Sequence, residues 1–82
     1  MLGLAAIRLN PKDDAAYHGR GNAYAAKGEH EKALSDLTEA IRLNPKNAEA
    51  YRDRGQVYEK KGEKSKAEGD FVQSKKLGYK TN

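Results

Sequence analysis

Apolar residues recur along this chain at helical spacing, in four stretches separated by breaks. Tyr17, Gly21 and Tyr24 fall at i, i+4 and i+7, as do Tyr51, Gly55 and Tyr58. Ala33, Leu37, Ala40 and Ile41 mark one face of a further helix. The breaks carry their own chemistry. Proline restricts the residue before it away from the helical region, so Asn10-Pro11 and Asn44-Pro45 end what precedes them. Gly28, Gly62 and Gly78 stand where a helix C-terminus needs a left-handed residue. Asp13 or Asp14, and later Asn47, stand where a side-chain oxygen can cap a helix N-terminus. The pattern predicts helices over about 14–27, 31–43, 48–61 and 64–77, preceded by a helical fragment over 2–9. Turns this short require neighbouring helices to run antiparallel.

The pattern also repeats. Tyr17, Arg20, Gly21, Tyr24, Gly28, Ala33 and Leu43 recur 34 positions later as Tyr51, Arg54, Gly55, Tyr58, Gly62, Ala67 and Leu77. The segment from Ala6 to Lys12 matches that from Ala40 to Lys46 at all seven positions. A fixed period of this length marks a stacked repeat in which no unit buries its apolar face alone. Gly21 and Gly55 sit inside helices, where glycine costs roughly 1 kcal/mol relative to alanine. Their recurrence implies close helix approach, with Ala33 and Ala67 expected as the small residues opposite.

Composition narrows the function classes. The chain has 82 residues, 37% hydrophobic and 34% charged, with net charge +4. Acidic and basic residues interleave, and the longest basic runs are Lys60-Lys61 and Lys75-Lys76. This is a solvated helical surface rather than the clustered stripe of a nucleic-acid site. Cysteine is absent, so disulfide and thiolate chemistry are excluded. The N-terminal apolar run lacks a basic leader and stops at Arg8, and no stretch is long enough to span a bilayer, so the cytoplasm is the default expectation. Ser35, Ser65 and Ser74 have no histidine at a suggestive spacing. His18 and His30 each lack a second ligand, and Asp13, Asp14 and Asp53 read as caps and surface charges. No catalytic, metal or cofactor site is expected.

The units resemble the tetratricopeptide repeat. The first reads Tyr17, Arg20-Gly21, Tyr24, Ala33, Leu37, Pro45, and the second Tyr51, Arg54-Gly55, Tyr58, Ala67, Phe71, with Tyr79 where proline is expected. The resemblance implies an all-α fold, in which antiparallel helix-turn-helix repeats stack as a short right-handed α-solenoid. Residues 1–12 would be the remnant of a preceding repeat's second helix, 13–46 one repeat, and 47–82 a second. Tyr17, Gly21, Tyr24, Ala33, Leu37, Ala40, Tyr51, Gly55, Tyr58, Ala67 and Phe71 would form the structural core. Arg20 and Arg54 occupy a position usually held by leucine, where an arginine stem can cover apolar surface. Leu34 and Ile41 become Glu68 and Lys75 in the second unit, the polar outer face a terminal repeat needs. The chain is therefore expected to be the C-terminal end of a longer array, prone to concentration-dependent self-association.

In such arrays the first helix of each pair lines a concave groove that holds a peptide or partner segment. Helical spacing from the Tyr-Gly-Tyr face would place His18, Asn22, Ala25 and Ala26 there from the first unit, and Glu49, Arg52, Gln56, Glu59 and Lys60 from the second. Asn22 and Gln56 would bond a peptide backbone, and Arg52 a carboxylate. One subfamily clamps the C-terminal carboxylates of heat-shock chaperones. Here only Asn22 matches that clamp, with His18 in place of a lysine and Asp53 in place of an asparagine, so chaperone-tail binding is not expected. The expected function is a non-catalytic interaction module binding a protein or peptide in the groove. The alternative is an assembly module that oligomerises by repeat stacking or helix exchange.

Overall fold

The computed structural model describes residues 10–79. Four helices follow one another: α1 (Asp14–Ala26), α2 (His30–Leu43), α3 (Ala48–Lys60) and α4 (Lys64–Lys76). No strand occurs among the described residues. Each helix lies within a residue or so of its predicted span. The fragment expected over 2–9 lies outside the described residues.

The caps explain the boundaries. Asp13, not Asp14, caps α1, its carboxylate accepting the Ala16 N–H at 3.2 Å. Asn47 caps α3 in the same way, accepting the Ala50 N–H at 3.1 Å. At the other ends, Gly28 and Gly62 adopt φ of 81° and 84°. The following residues then donate back, Glu29 to the Tyr24 carbonyl and Glu63 to that of Tyr58, each at 2.9 Å. These bonds satisfy carbonyls that a helix end would otherwise leave open.

α1 packs antiparallel on α2, and α3 on α4, while α2 also packs on α3. The result is two helical hairpins stacked as a short right-handed solenoid. The core lies between α2 and α3, where Ala33, Leu34, Leu37 and Val57 cluster with Tyr24, Ala25 and Tyr58 against them. Ala40, Ala50 and Ala67 are also buried, whereas Tyr17, Tyr51 and Phe71 are half-buried. In the second hairpin Ser74 takes the position of Ala40, and its buried hydroxyl donates to the Ala48 carbonyl at 2.8 Å. Glu68 and Lys75 are exposed where Leu34 and Ile41 are buried, because α3 covers α2 and no described helix covers α4 in that way.

The close approach at the two glycines is real, but its partner differs from the alanine expected. A Cβ on Gly21 would lie 2.9 Å from Leu37 Cγ and 3.2 Å from Asp36 Cβ. One on Gly55 would lie 2.7 Å from Phe71 Cε1 and 3.2 Å from the Ala67 carbonyl oxygen. The large side chains Leu37 and Phe71, at equivalent positions, fill the space each glycine opens. Ala67 takes part in the close approach through its backbone carbonyl, and Ala33 is fully buried in the core.

Arg20 and Arg54 likewise hold the fold by a different means. Beyond lying against tyrosine rings, each grips a buried aspartate through two nitrogens. Arg20 donates to Asp36 at 2.7 and 2.8 Å, and Arg54 to Asp70 at 2.8 Å twice. Such bidentate pairs are among the stronger hydrogen bonds proteins make. Arg20 and Lys32 also lie 5.6 and 5.5 Å from the Tyr24 ring, and Arg54 and Lys66 sit in the same way at Tyr58. Arg54 further donates to Thr38 at 3.2 Å, and Lys61 pairs with Glu31, so both tie the second hairpin to the first.

Candidate functional site

α1 and α3, the first helices of the two hairpins, touch each other. Between them lies a shallow depression of about 220 Å³ lined by Asn22, Ala25, Ala26, Asp53, Gln56, Val57 and Lys60. Five of these are residues assigned to the groove from sequence. Asn22 and Gln56 hold equivalent positions, 34 apart, and both are exposed. Lys60 is exposed and makes no ion pair among the described residues. Ala25, Ala26 and Val57 supply an apolar floor.

The other four assigned residues lie differently. Glu59 lines a second depression with Lys64, Ser65, Ala67, Glu68 and Phe71, between α3 and the outer face of α4. Glu49 is exposed in the first turn of α3. Arg52 is already engaged. Its Nη2 lies 2.9 Å from Asp53, and its guanidinium carbon sits 4.9 Å from the centre of the Tyr79 ring. His18 is nearly enclosed, with 12% of its side chain exposed.

Asp53 is the residue that sequence reading misplaced. It is not a surface charge, since only 7% of the residue is exposed. Its Oδ2 accepts from His18 Nε2 at 2.7 Å and from Asn22 Nδ2 at 3.1 Å, and its Oδ1 faces Arg52. Burial alone would push its carboxyl up; the bonds from His18 and Asn22 and the charge on Arg52 more than reverse this, leaving it below the usual carboxylate range. The hydrogen bond to Asp53 raises His18 above the ordinary histidine value, against the opposing effect of burial. The bond to Asp53 takes up one Asn22 N–H and fixes the side chain at the edge of the depression.

A pH dependence follows from these directions. The raised His18 value means that its pairing contributes fully below the unfolded value of about 6.5 and fades as pH rises through the folded one. The depressed Asp53 value means that its contribution is lost only as strong acid titrates it. The stability advantage of the native protein over His18→Ala is therefore expected to shrink as pH rises above about 6.5. Urea melts of the two proteins across that range would measure it. An advantage that grows with pH would contradict the arrangement.

Chemically, the site offers amides, one cation and a small apolar floor. No cluster of three or more metal-ligating side chains occurs among the described residues. No helix among them is long and apolar enough to cross a membrane.

Paired antiparallel helices, a 34-residue period and a depression along the first helix of each pair define a helical-repeat scaffold of the kind that binds other proteins. Family models agree, one described as TPR repeat over residues 21–62 and one as Tetratricopeptide repeat over residues 2–35. The chain belongs to the tetratricopeptide repeat family. Among solved structures, MamA matches at a TM-score of 0.87 and 32% identity, over 92% of this chain and 44% of that one. YrrB, described as "a TPR protein with an unusual peptide-binding site", matches at a TM-score of 0.94 and 27% identity, over 99% of this chain and 42% of that one. MamA from Desulfovibrio magneticus shares the fold at a TM-score of 0.88 and 24% identity, covering 92% and 42% of the two chains. The chain thus spans less than half the length of these solved relatives. No curated protein matches it.

Proposed function

We propose that the chain is a non-catalytic module that holds an extended segment of a partner protein in the depression between α1 and α3. The observation that carries this reading is the pair of exposed amides at equivalent positions, Asn22 and Gln56, over a floor of Ala25, Ala26 and Val57. Side-chain amides can bond a peptide backbone on either of its polar groups. Lys60, in the last turn of α3, adds a cation at one end. Peptide binding by YrrB is consistent with this use of the fold.

The test begins with a random peptide library displayed on phage and selected on the protein. Gln56→Ala is expected to weaken a selected peptide about tenfold, the loss of one or two hydrogen bonds. Glu59→Ala, in the other depression, should leave affinity unchanged. If Glu59→Ala weakens binding while Gln56→Ala does not, the segment lies in the α3–α4 depression and the reading fails. Arg52 is unsuited as a probe, because its replacement would also disturb Asp53 and Tyr79.

Self-assembly by stacking on α4 is less well supported. A second copy packed there would bury Glu68 and Lys75, both charged and exposed.

A further inference from the structure

His18 touches both hairpins, and its two ring nitrogens meet opposite demands. Nε2 lies 2.7 Å from Asp53 Oδ2, an acceptor. Nδ1 lies 3.3 Å from Asn47 Nδ2. The Asn47 amide is not at liberty to turn over, because its Oδ1 accepts the Ala50 N–H as the N-cap of α3. Its NH2 group therefore faces the ring. A neutral imidazole with its proton on Nε2 satisfies both neighbours. A protonated ring carries N–H on both nitrogens, and one of them then points at the Asn47 NH2.

We infer that His18 is a proton-operated joint between the two repeats. The neutral ring holds the N-cap of α3 through Asn47; the protonated ring gives up Asn47 and holds Asp53 as an ion pair.

The surroundings make protonation accessible. Asp53 and Glu49 on α3 and Asp14 on α1 all favour the charged ring. Asp14 is itself held by Asn44 Nδ2, at the end of α2, at 3.2 Å. The neighbouring cation is Arg52, which is spent on the other oxygen of Asp53. Three carboxylates thus oppose a single amide donor, and burial of the ring works on the amide's side. The two states differ at one named place, the first turn of α3, while the Asp53 contact persists through both.

The joint can be tested on the protein alone, without any partner. Long-range proton–nitrogen spectra of labelled protein report the tautomer of His18 and follow it from pH 9 to pH 5. The expected result is a proton on Nε2 at pH 9. The side-chain amide of Asn47 and the backbone amide of Ala50 should shift with the same midpoint as the ring. Asn47→Ser keeps an oxygen able to cap α3 but removes the amide from the ring. Its His18 midpoint should rise by roughly half a pH unit, the size of one hydrogen bond lost from the neutral form. A proton on Nδ1 at pH 9 would overturn the inference. So would Asn47 and Ala50 signals that ignore the His18 midpoint, or a midpoint in Asn47→Ser at or below that of the native protein. The first two readings are made on the native chain, so they stand even if the variant folds poorly.

Discussion

Gly55→Ala and Gly69→Ala are expected to shift stability in opposite directions, although each adds one methyl to a helix interior. A Cβ at Gly55 would lie 2.7 and 2.9 Å from two ring carbons of Phe71 and 3.2 Å from the Ala67 carbonyl. The Phe71 ring borders the α3–α4 depression and can tilt towards it, but the carbonyl belongs to the backbone of α4 and cannot give way without moving that helix. Overpacking of this kind costs about 1–3 kcal/mol, and the gain in helix propensity returns only about 1. At Gly69, on the exposed side of α4, nothing lies within 4 Å of the added methyl. Only the propensity gain remains there. Thermal melts should show Gly55→Ala falling by several degrees and Gly69→Ala rising by roughly 4–8 °C. Gly55→Val, with a larger side chain in the same gap, should fail to fold cooperatively. Equal shifts for the two alanine variants would mean that the α3–α4 approach is looser than the distances indicate.

The second large effect concerns the aspartates beneath the arginines. Asp70→Ala leaves Arg54, whose side chain is 18% exposed, without either of its two carboxylate bonds. Removing one member of a mostly buried pair costs about 3 kcal/mol or more, since the remaining charge is left uncompensated. The double replacement Arg54→Met, Asp70→Leu removes the charge as well and should recover most of that loss. Asp36→Ala repeats the experiment on Arg20 in the first hairpin. Denaturant melts of single and double variants form a cycle from which the coupling is read directly. A coupling near zero would show that these bonds lend the fold nothing beyond what water supplies.

Much of this architecture was legible in the chain. Among the described residues, Asn44-Pro45 and the glycines located the C-terminal helix ends to within a residue or so, because those residues act through local backbone chemistry. The amide positions Asn22 and Gln56 were legible because helical spacing from a packed face fixes what lies on the neighbouring one. The polar interior was harder. Asp36 and Asp70 recur at the 34-residue period, each sixteen positions after an arginine. That signal was present, but spacing alone does not show that the two helices meet there. Asp53 carried no such signal, since its counterpart 34 positions earlier is Gly19. Its burial depends on His18, Asn22 and Arg52 converging from two helices, and tertiary packing alone decides that.

The end of α4 has a practical consequence. Gly78 adopts φ of 102°, and the Tyr79 N–H donates back to the Ser74 carbonyl at 3.0 Å. The chain therefore reverses rather than carrying on along the helix axis, and delivers Tyr79 onto Arg52. A fluorophore or surface tether placed at this position would stand beside α3, near the very face meant to receive a partner. Immobilisation through an exposed residue of α4 that does not line the α1–α3 depression, such as Val72, leaves that face open to solution.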